Sequence, residues 1–174
     1  LHLEKETQIN VTFPRNKEKS VLSALFDNHL YEEVAYEIST LENVDSQIGM
    51  GMIGELEKPL DEKHFLSFIK NKMNVSCIRH SGFLGKKIQK VAVLGGSGAF
   101  AIGAAKKYGA DIFITSDVKY HQFFEAENKI LIADIGHYET EQFTKNLLVD
   151  YLTKKMPNFA ISLSESITNP IKYY

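Results

Sequence analysis

A single cysteine, Cys77, stands in 174 residues. An internal disulfide is therefore excluded, and the apolar setting of the thiol suits a reducing cytoplasm. No apolar stretch nears the roughly 18 residues that span a bilayer, which excludes a transmembrane helix. Positive charge is not in excess: 20 Lys and Arg stand against 22 Asp and Glu, for a net charge of −2. The basic stripe of a nucleic-acid binder is thus missing. The opening residues, LHLEKETQ, have neither the basic start nor the apolar centre of a signal peptide. They also lack an initiator Met, which leads us to expect the latter part of a longer protein. Internal repeats and low-complexity tracts are absent. What is there is an ordinary globular composition, 44% hydrophobic and 24% charged, at a length for one domain or two small ones.

Two rhythms run along the chain. In residues 8–13, QINVTF, Ile9, Val11 and Phe13 alternate as in a half-buried strand that Pro14 closes. NKEKSVLSALFDNHL repeats Val21, Leu22, Leu25 and Phe26 at helical spacing. EEVAYEIS alternates again, and LENVDSQIGMGMIGEL holds three glycines around a short strand. The order strand, helix, strand, strand predicts a small α+β, ferredoxin-like module over residues 1–57. Pro59 is expected to stop its last strand, and Asp61 to cap a helix through Phe65, Ile69 and Met73.

Residues 58–174 then read as an α/β unit. VSCIRH, KVAVLGG, ADIFITSD, NKILIADIG and NFAISLSES are five short β-rich runs, with helical segments at 98–108, 119–127 and 138–155 between the last four. Apolar runs such as 91–94 and 112–114 predict a largely parallel sheet covered by helices on both faces. Ligands of such sheets sit beyond the carboxyl ends of the strands. Gly95-Gly96-Ser97-Gly98, Ser116-Asp117 and Gly136-His137 lie there.

The glycine loop supports two readings. Gly96, Gly98 and Ala101 fit a dinucleotide fingerprint, with Asp117 about 20 residues on as the ribose acid. Small residues at a helix start also let backbone amides approach a phosphate or other anion. Equally, glycines simply make a tight strand-to-helix turn. Ionisable residues crowd the remaining strand ends, where a dinucleotide groove rarely needs two histidines, so that reading ranks second.

His137 and Glu141 are one helical turn apart and share a face. Imidazole with carboxylate suits zinc, manganese or iron, yet a glutamate in a first turn is favoured by the helix dipole alone. Asp117 and His121 repeat the spacing one strand away, although Asp117 by itself reads as an N-cap. Asp134 lies within an apolar run, where an unpaired carboxylate is costly, so it needs a partner or a polar strand end.

KVAVLGGSGAFAIGAAKKYGADIFITSDVKYHQFF followed by ILIADIGHYETE resembles the C-terminal half of the NGG-interacting-factor-three-like family, whose members are named GTP cyclohydrolase 1 type 2 homologues. The resemblance covers residues 75–174. It implies half of a two-part fold, with two divalent ions at the mouth of a cavity between the parts. His137 and Glu141 match the family's C-terminal metal ligands. The remaining ligands, among them a His-His-Pro motif, belong to an N-terminal half, and no such motif occurs here. Residues 7–57 resemble the CutA and P-two-like insert of some members, and the family implies a homo-oligomer, a hexameric ring.

These residues lead us to expect a cytoplasmic, metal-dependent hydrolase of a nucleotide or phosphorylated ligand, with zinc as the first candidate ion. His137 and Glu141 would hold metal, His121 would shuttle a proton, Asp117 would orient it, and Gly95, Gly96, Ser97 and Gly98 would hold an anion. The alternative is a regulatory or scaffold ring whose metals are structural.

Overall fold

The computed structural model describes residue 5, residues 7–43 and residues 48–174. The chain divides into two compact units, Leu1–Asp45 and Ser46–Tyr174. In the first, a 3-10 turn over Arg15–Lys17 leads into helix α1, Glu18–Asn28. Phe13, Val21, Leu22, Leu25 and Val34 are half-buried, and the Phe26 and Tyr36 rings meet edge-on at 5.7 Å. The predicted strands at 8–13 and 34–38 are not formed among the described residues: both stretches lack a ladder partner, and Ile9 stays 80% exposed. Residues 44–47, part of the predicted glycine-bearing stretch, lie outside the described residues.

The second unit is built on a mixed five-stranded sheet in the order β1-β3-β4-β5-β2. Strands β3 (Lys87–Ser97), β4 (Ile112–Ser116) and β5 (Leu131–Asp134) run parallel at its centre. The edges, β1 (Met52–Asp61) and β2 (Arg79–His80), are antiparallel to β3 and β5. The expectation of a largely parallel sheet therefore holds for the centre only. The stretch 52–56 belongs to this sheet and not to the preceding module. Nor does Pro59 end its strand: pairing resumes at Leu60 opposite Ile88 after an irregularity following Glu55. A proline without an N–H is tolerated there because the bulged residues have no ladder partner.

Period-two alternation explains the apolar runs. Ile112, Ile114, Leu131 and Ala133 face one side, where they join Phe65, Leu66 and Ile69 of helix α2 (Glu62–Lys72). Phe113, Ile130 and Ile132 face the other, with Ile102 and Ala105 of helix α3 (Ile102–Lys107) and Ala126 of a 3-10 helix over Tyr120–Ala126. Both faces are apolar, as a doubly covered sheet requires. Asp61 caps α2 as expected, its carboxylate accepting the His64 N–H at 2.9 Å. The buried Glu62 carboxylate accepts the Leu84 and Gly85 N–H groups, tying α2 to the turn before β3.

Beyond β5 the predicted long helix is two: α4, His137–Glu141, and α5, Thr144–Lys155. The run 158–166 forms no strand. It has no sheet neighbour, because β2 already occupies the edge beside β5.

Candidate functional site

The carboxyl ends of β3, β4 and β5 converge through three short loops. Gly96 has a φ of +67°, which an L-residue adopts only at a cost. A Cβ there would also lie 2.6 Å from Glu141 Oε1 and 3.5 Å from His137 Cε1. The missing side chain is what lets α4 lie against the end of β3. The Gly96 N–H donates to Thr140 Oγ1 at 2.9 Å, and Thr140 Oγ1 donates to the His137 carbonyl at 2.7 Å. At Gly98 a Cβ would collide with Thr115 Oγ1 and Leu94. The glycine loop thus fits α4 to the sheet, and its Gly96 amide is engaged with α4 rather than presented to an anion.

Asp117, at the end of β4, has a φ of +55°. Its Oδ2 accepts a hydrogen bond from Ser97 Oγ and lies 2.6 Å from His137 Nδ1. The Ser97 hydrogen bond, and then that to His137, lowers the Asp117 pKa below the ordinary carboxylate value. His137 is correspondingly pushed up from its ordinary value of 6.5, first by the hydrogen bond to Asp117. The two shifts run in opposite directions, as a carboxylate and an imidazolium that stabilise each other's charged forms require. The other ring nitrogen, Nε2, faces Glu141 Oε2 at 3.4 Å. Among the described residues no three His, Cys, Asp or Glu side chains form a metal-ligating group. Asp117 and Glu141 instead address opposite edges of one imidazole.

Asp134 finds the partner its position demands. It is 5% exposed and accepts from Arg79 Nη1, the Val118 N–H and the Gly136 N–H, each at 3.1 Å. Because Val118 follows Asp117 and Gly136 precedes His137, this one carboxylate fixes the backbone beside both members of the pair. Gly136 (φ +96°) leaves no room for a Cβ, which would meet Glu139 Oε2. Glu139 is buried and accepts from Asn169 Nδ2 at 3.2 Å. Burial, then the negative Glu139 nearby, raises the Tyr173 phenol pKa above its ordinary value.

A cleft of about 220 Å³ opens between these groups, its walls including Arg79, Asp117, Asp134, His137, Ile171 and Tyr173. A larger cleft of about 440 Å³, with Tyr120, Phe123 and Phe124 on its wall, contains neither Asp117 nor His137, and Glu141 lines neither cleft. The chemistry favours the smaller one.

His121 does not join this cluster. Residues 117–119 are not helical and the 3-10 helix begins at Tyr120, so Asp117 and His121 share no helical face, contrary to expectation. The His121 ring stands exposed, edge-on to Tyr120 at 5.6 Å. Asp117 is not an N-cap either: Lys119 takes the cap position and its N–H donates to Gln122 Oε1. Arg79 was not singled out from the sequence, although the cost of an unpaired Asp134 called for a cation. Asn169, Ile171 and Tyr173 gave no signal, because nothing in an irregular tail reveals where it folds back.

Similar proteins carry the same architecture. A Bacillus cereus protein related to NIF3 superposes with a TM-score of 0.74 at 33% identity, over 93% of this chain and 46% of its own. A Staphylococcus aureus protein gives 0.73 at 26% identity, over 92% of this chain and 53% of its own. A Bacillus subtilis protein named GTP cyclohydrolase 1 type 2 homolog is 34% identical over 99% of this chain and 48% of the relative. A Staphylococcus epidermidis protein of the same name is 32% identical over 97% and 47%. The chain spans about half the length of the curated relatives it matches. The family model described as Duf34/NIF3 (NGG1p interacting factor 3) matches residues 1–170, and the chain belongs to that family.

Proposed function

We propose that His137 and Glu141 are two ligands of a divalent-metal centre in a hydrolase acting on a nucleotide. One observation carries this: His137 Nε2 and Glu141 Oε2 lie 3.4 Å apart while Nδ1 is held by Asp117. Ligand arms of roughly 2.0–2.1 Å in a tetrahedral zinc site give a ligand-to-ligand edge of about 3.4 Å. A carboxylate on the opposite ring nitrogen fixes the tautomer and raises the basicity of a ligating imidazole. The donor set therefore fits zinc, with manganese or iron as alternatives. Bound there, such ions would activate water and clamp developing negative charge.

Within this chain, Asp117 orients His137, Ser97 and Thr140 hold the two in place, and Gly96 makes room for Glu141. A second ion and the remaining donors are assigned to the part of the protein corresponding to the other half of the relatives. Proton transfer is assigned to His121, exposed in the 3-10 helix over Tyr120–Ala126, and an anion contact to the unengaged edge of the Gly95–Gly98 loop. The name shared by the relatives supports GTP as the first substrate to try. We assign the first unit, Leu1–Asp45, to a CutA and P-two-like insert and the protein to a cytoplasmic homo-hexameric ring.

A second reading, a ring-shaped scaffold with structural metals, is supported by α5, which buries no residue and leaves Leu147, Leu148 and Tyr151 more than half exposed. The test is metal analysis of the complete protein with its His137→Ala and Glu141→Ala variants. Two ions in the wild type, and reduced content in each folded variant, support the centre. Normal content in both variants sinks it. An ion that is fully ligated, with no water-bearing position, favours the scaffold.

A further inference from the structure

We propose that Arg79 is the oxyanion-binding residue of the cleft beside His137, receiving a phosphate-type group of the ligand. This rests on the reading of that cleft as a ligand site and names the part of the ligand that Arg79 takes. Arg79 is paired opposite Asp134 across β2 and β5. Its guanidinium is held on three sides: Nη1 donates to Asp134 at 3.1 Å, Nη2 donates to the Val118 carbonyl at 2.8 Å, and Cζ lies 5.3 Å from the Phe123 ring centroid. Compensation of Asp134 explains only one of these contacts. Asp134 is 5% exposed, whereas the Arg79 side chain is 58% exposed, so the cation turns an open edge away from its partner.

A guanidinium carries five N–H donors, and two are engaged here. The other three match the geometry of a phosphate or carboxylate. Among the described residues lining the cleft, Arg79 is the one with a permanent positive charge. The exposed acid on the cleft wall, Asp117, already accepts from Ser97 and His137, which moderates its repulsion of an anion. Fixing the side chain before ligand arrives removes most of the ordering cost of a long flexible cation.

The experiment measures pyrophosphate binding by titration calorimetry to the complete protein, wild type, Arg79→Lys and Arg79→Gln, each zinc-loaded and metal-stripped, with zinc content and thermal midpoint recorded. We expect Arg79→Gln to weaken pyrophosphate about tenfold or more in both forms, Arg79→Lys to fall between, and zinc content to stay at the wild-type level. Equal affinity in all three proteins overturns the proposal. So does loss of zinc from Arg79→Gln, which would make Arg79 a structural support; should that variant fail to fold, Arg79→Lys binding as wild type overturns it equally. If the wild type takes up no zinc while the Arg79 effect persists in stripped protein, the metal-centre reading fails and the oxyanion site stands.

Discussion

Substituting Gly96 by Ala separates the role of this loop in building the site from any role in holding an anion. The new Cβ would lie 2.6 Å from Glu141 Oε1 and 3.5 Å from His137 Cε1, the first far inside favourable non-bonded contact. Its backbone, at φ +67°, adds the left-handed penalty of about 1–2 kcal/mol for an L-residue. Glu141 is half-exposed at the end of a short helix, so the cheapest relief is to swing its carboxylate away from His137. The stability loss should therefore stay near the backbone figure, about 1–2 kcal/mol, because the steric conflict is relieved by a flexible side chain. Zinc affinity should fall more, by roughly 10–100-fold at least, as expected when a metal-site partner is displaced. Gly103→Ala is the control: its Cβ meets nothing within 4 Å and it lies inside α3, so it should be neutral or slightly stabilising. Urea unfolding and competition with a chromophoric zinc chelator, both on the complete protein, read the two quantities. A Gly96→Ala protein that holds zinc like the wild type would refute the reasoning, whatever its stability.

Three further outcomes follow from the same geometry. In metal-free protein the His137 imidazole should titrate above 6.5, and Asp117→Asn should move its midpoint down, read by NMR of the ring. The sign follows: a raised folded pKa adds stability below the unfolded value that disappears as pH rises through the folded one, while zinc uptake weakens as pH falls through it. An unchanged midpoint in Asp117→Asn would contradict the assigned contact. Asp134→Ala strands the Val118 and Gly136 N–H groups and should cost about 2–3 kcal/mol in urea unfolding, less than a fully buried pair because Arg79 stays hydrated. A loss under 1 kcal/mol would show that the carboxylate does not bind those loops. Ile132→Ala, at a fully buried position facing α3, should cost about 2–5 kcal/mol, whereas Ile167→Ala in the exposed tail should change stability by under about 0.5 kcal/mol. Comparable losses in the two would contradict the burial pattern.

The central strands were legible because their pattern has one solution. Runs such as 112–114 and 131–133 are apolar at consecutive positions, which only a sheet covered on both sides accommodates. The edges were not legible. Residues 52–56 look like the closing strand of a small module until Gly54 is found opposite Val91, a pairing between residues 37 apart that local pattern cannot reveal. Pro59 misled for a related reason: a proline ends a regular strand, but an irregular stretch makes no demand on its missing N–H. NFAISLSES failed because strand propensity counts only where an edge is free.

The site divides along the same line. His137 and Glu141 lie on one helix, so the shared face expected from their spacing is formed, and the structure sets their side chains 3.4 Å apart. The Asp117 and His121 spacing is identical and yields nothing comparable, because Asp117 takes a left-handed φ and the following turn is not yet helical. A four-residue interval carries information only once a helix is known to run through it. What brings Asp117 to His137 is instead the parallel pairing of β4 with β5, which sets the two strand ends side by side. The second carboxylate of the constellation is thus a property of sheet topology, and the glycines of the preceding loop make it possible by letting α4 settle against β3.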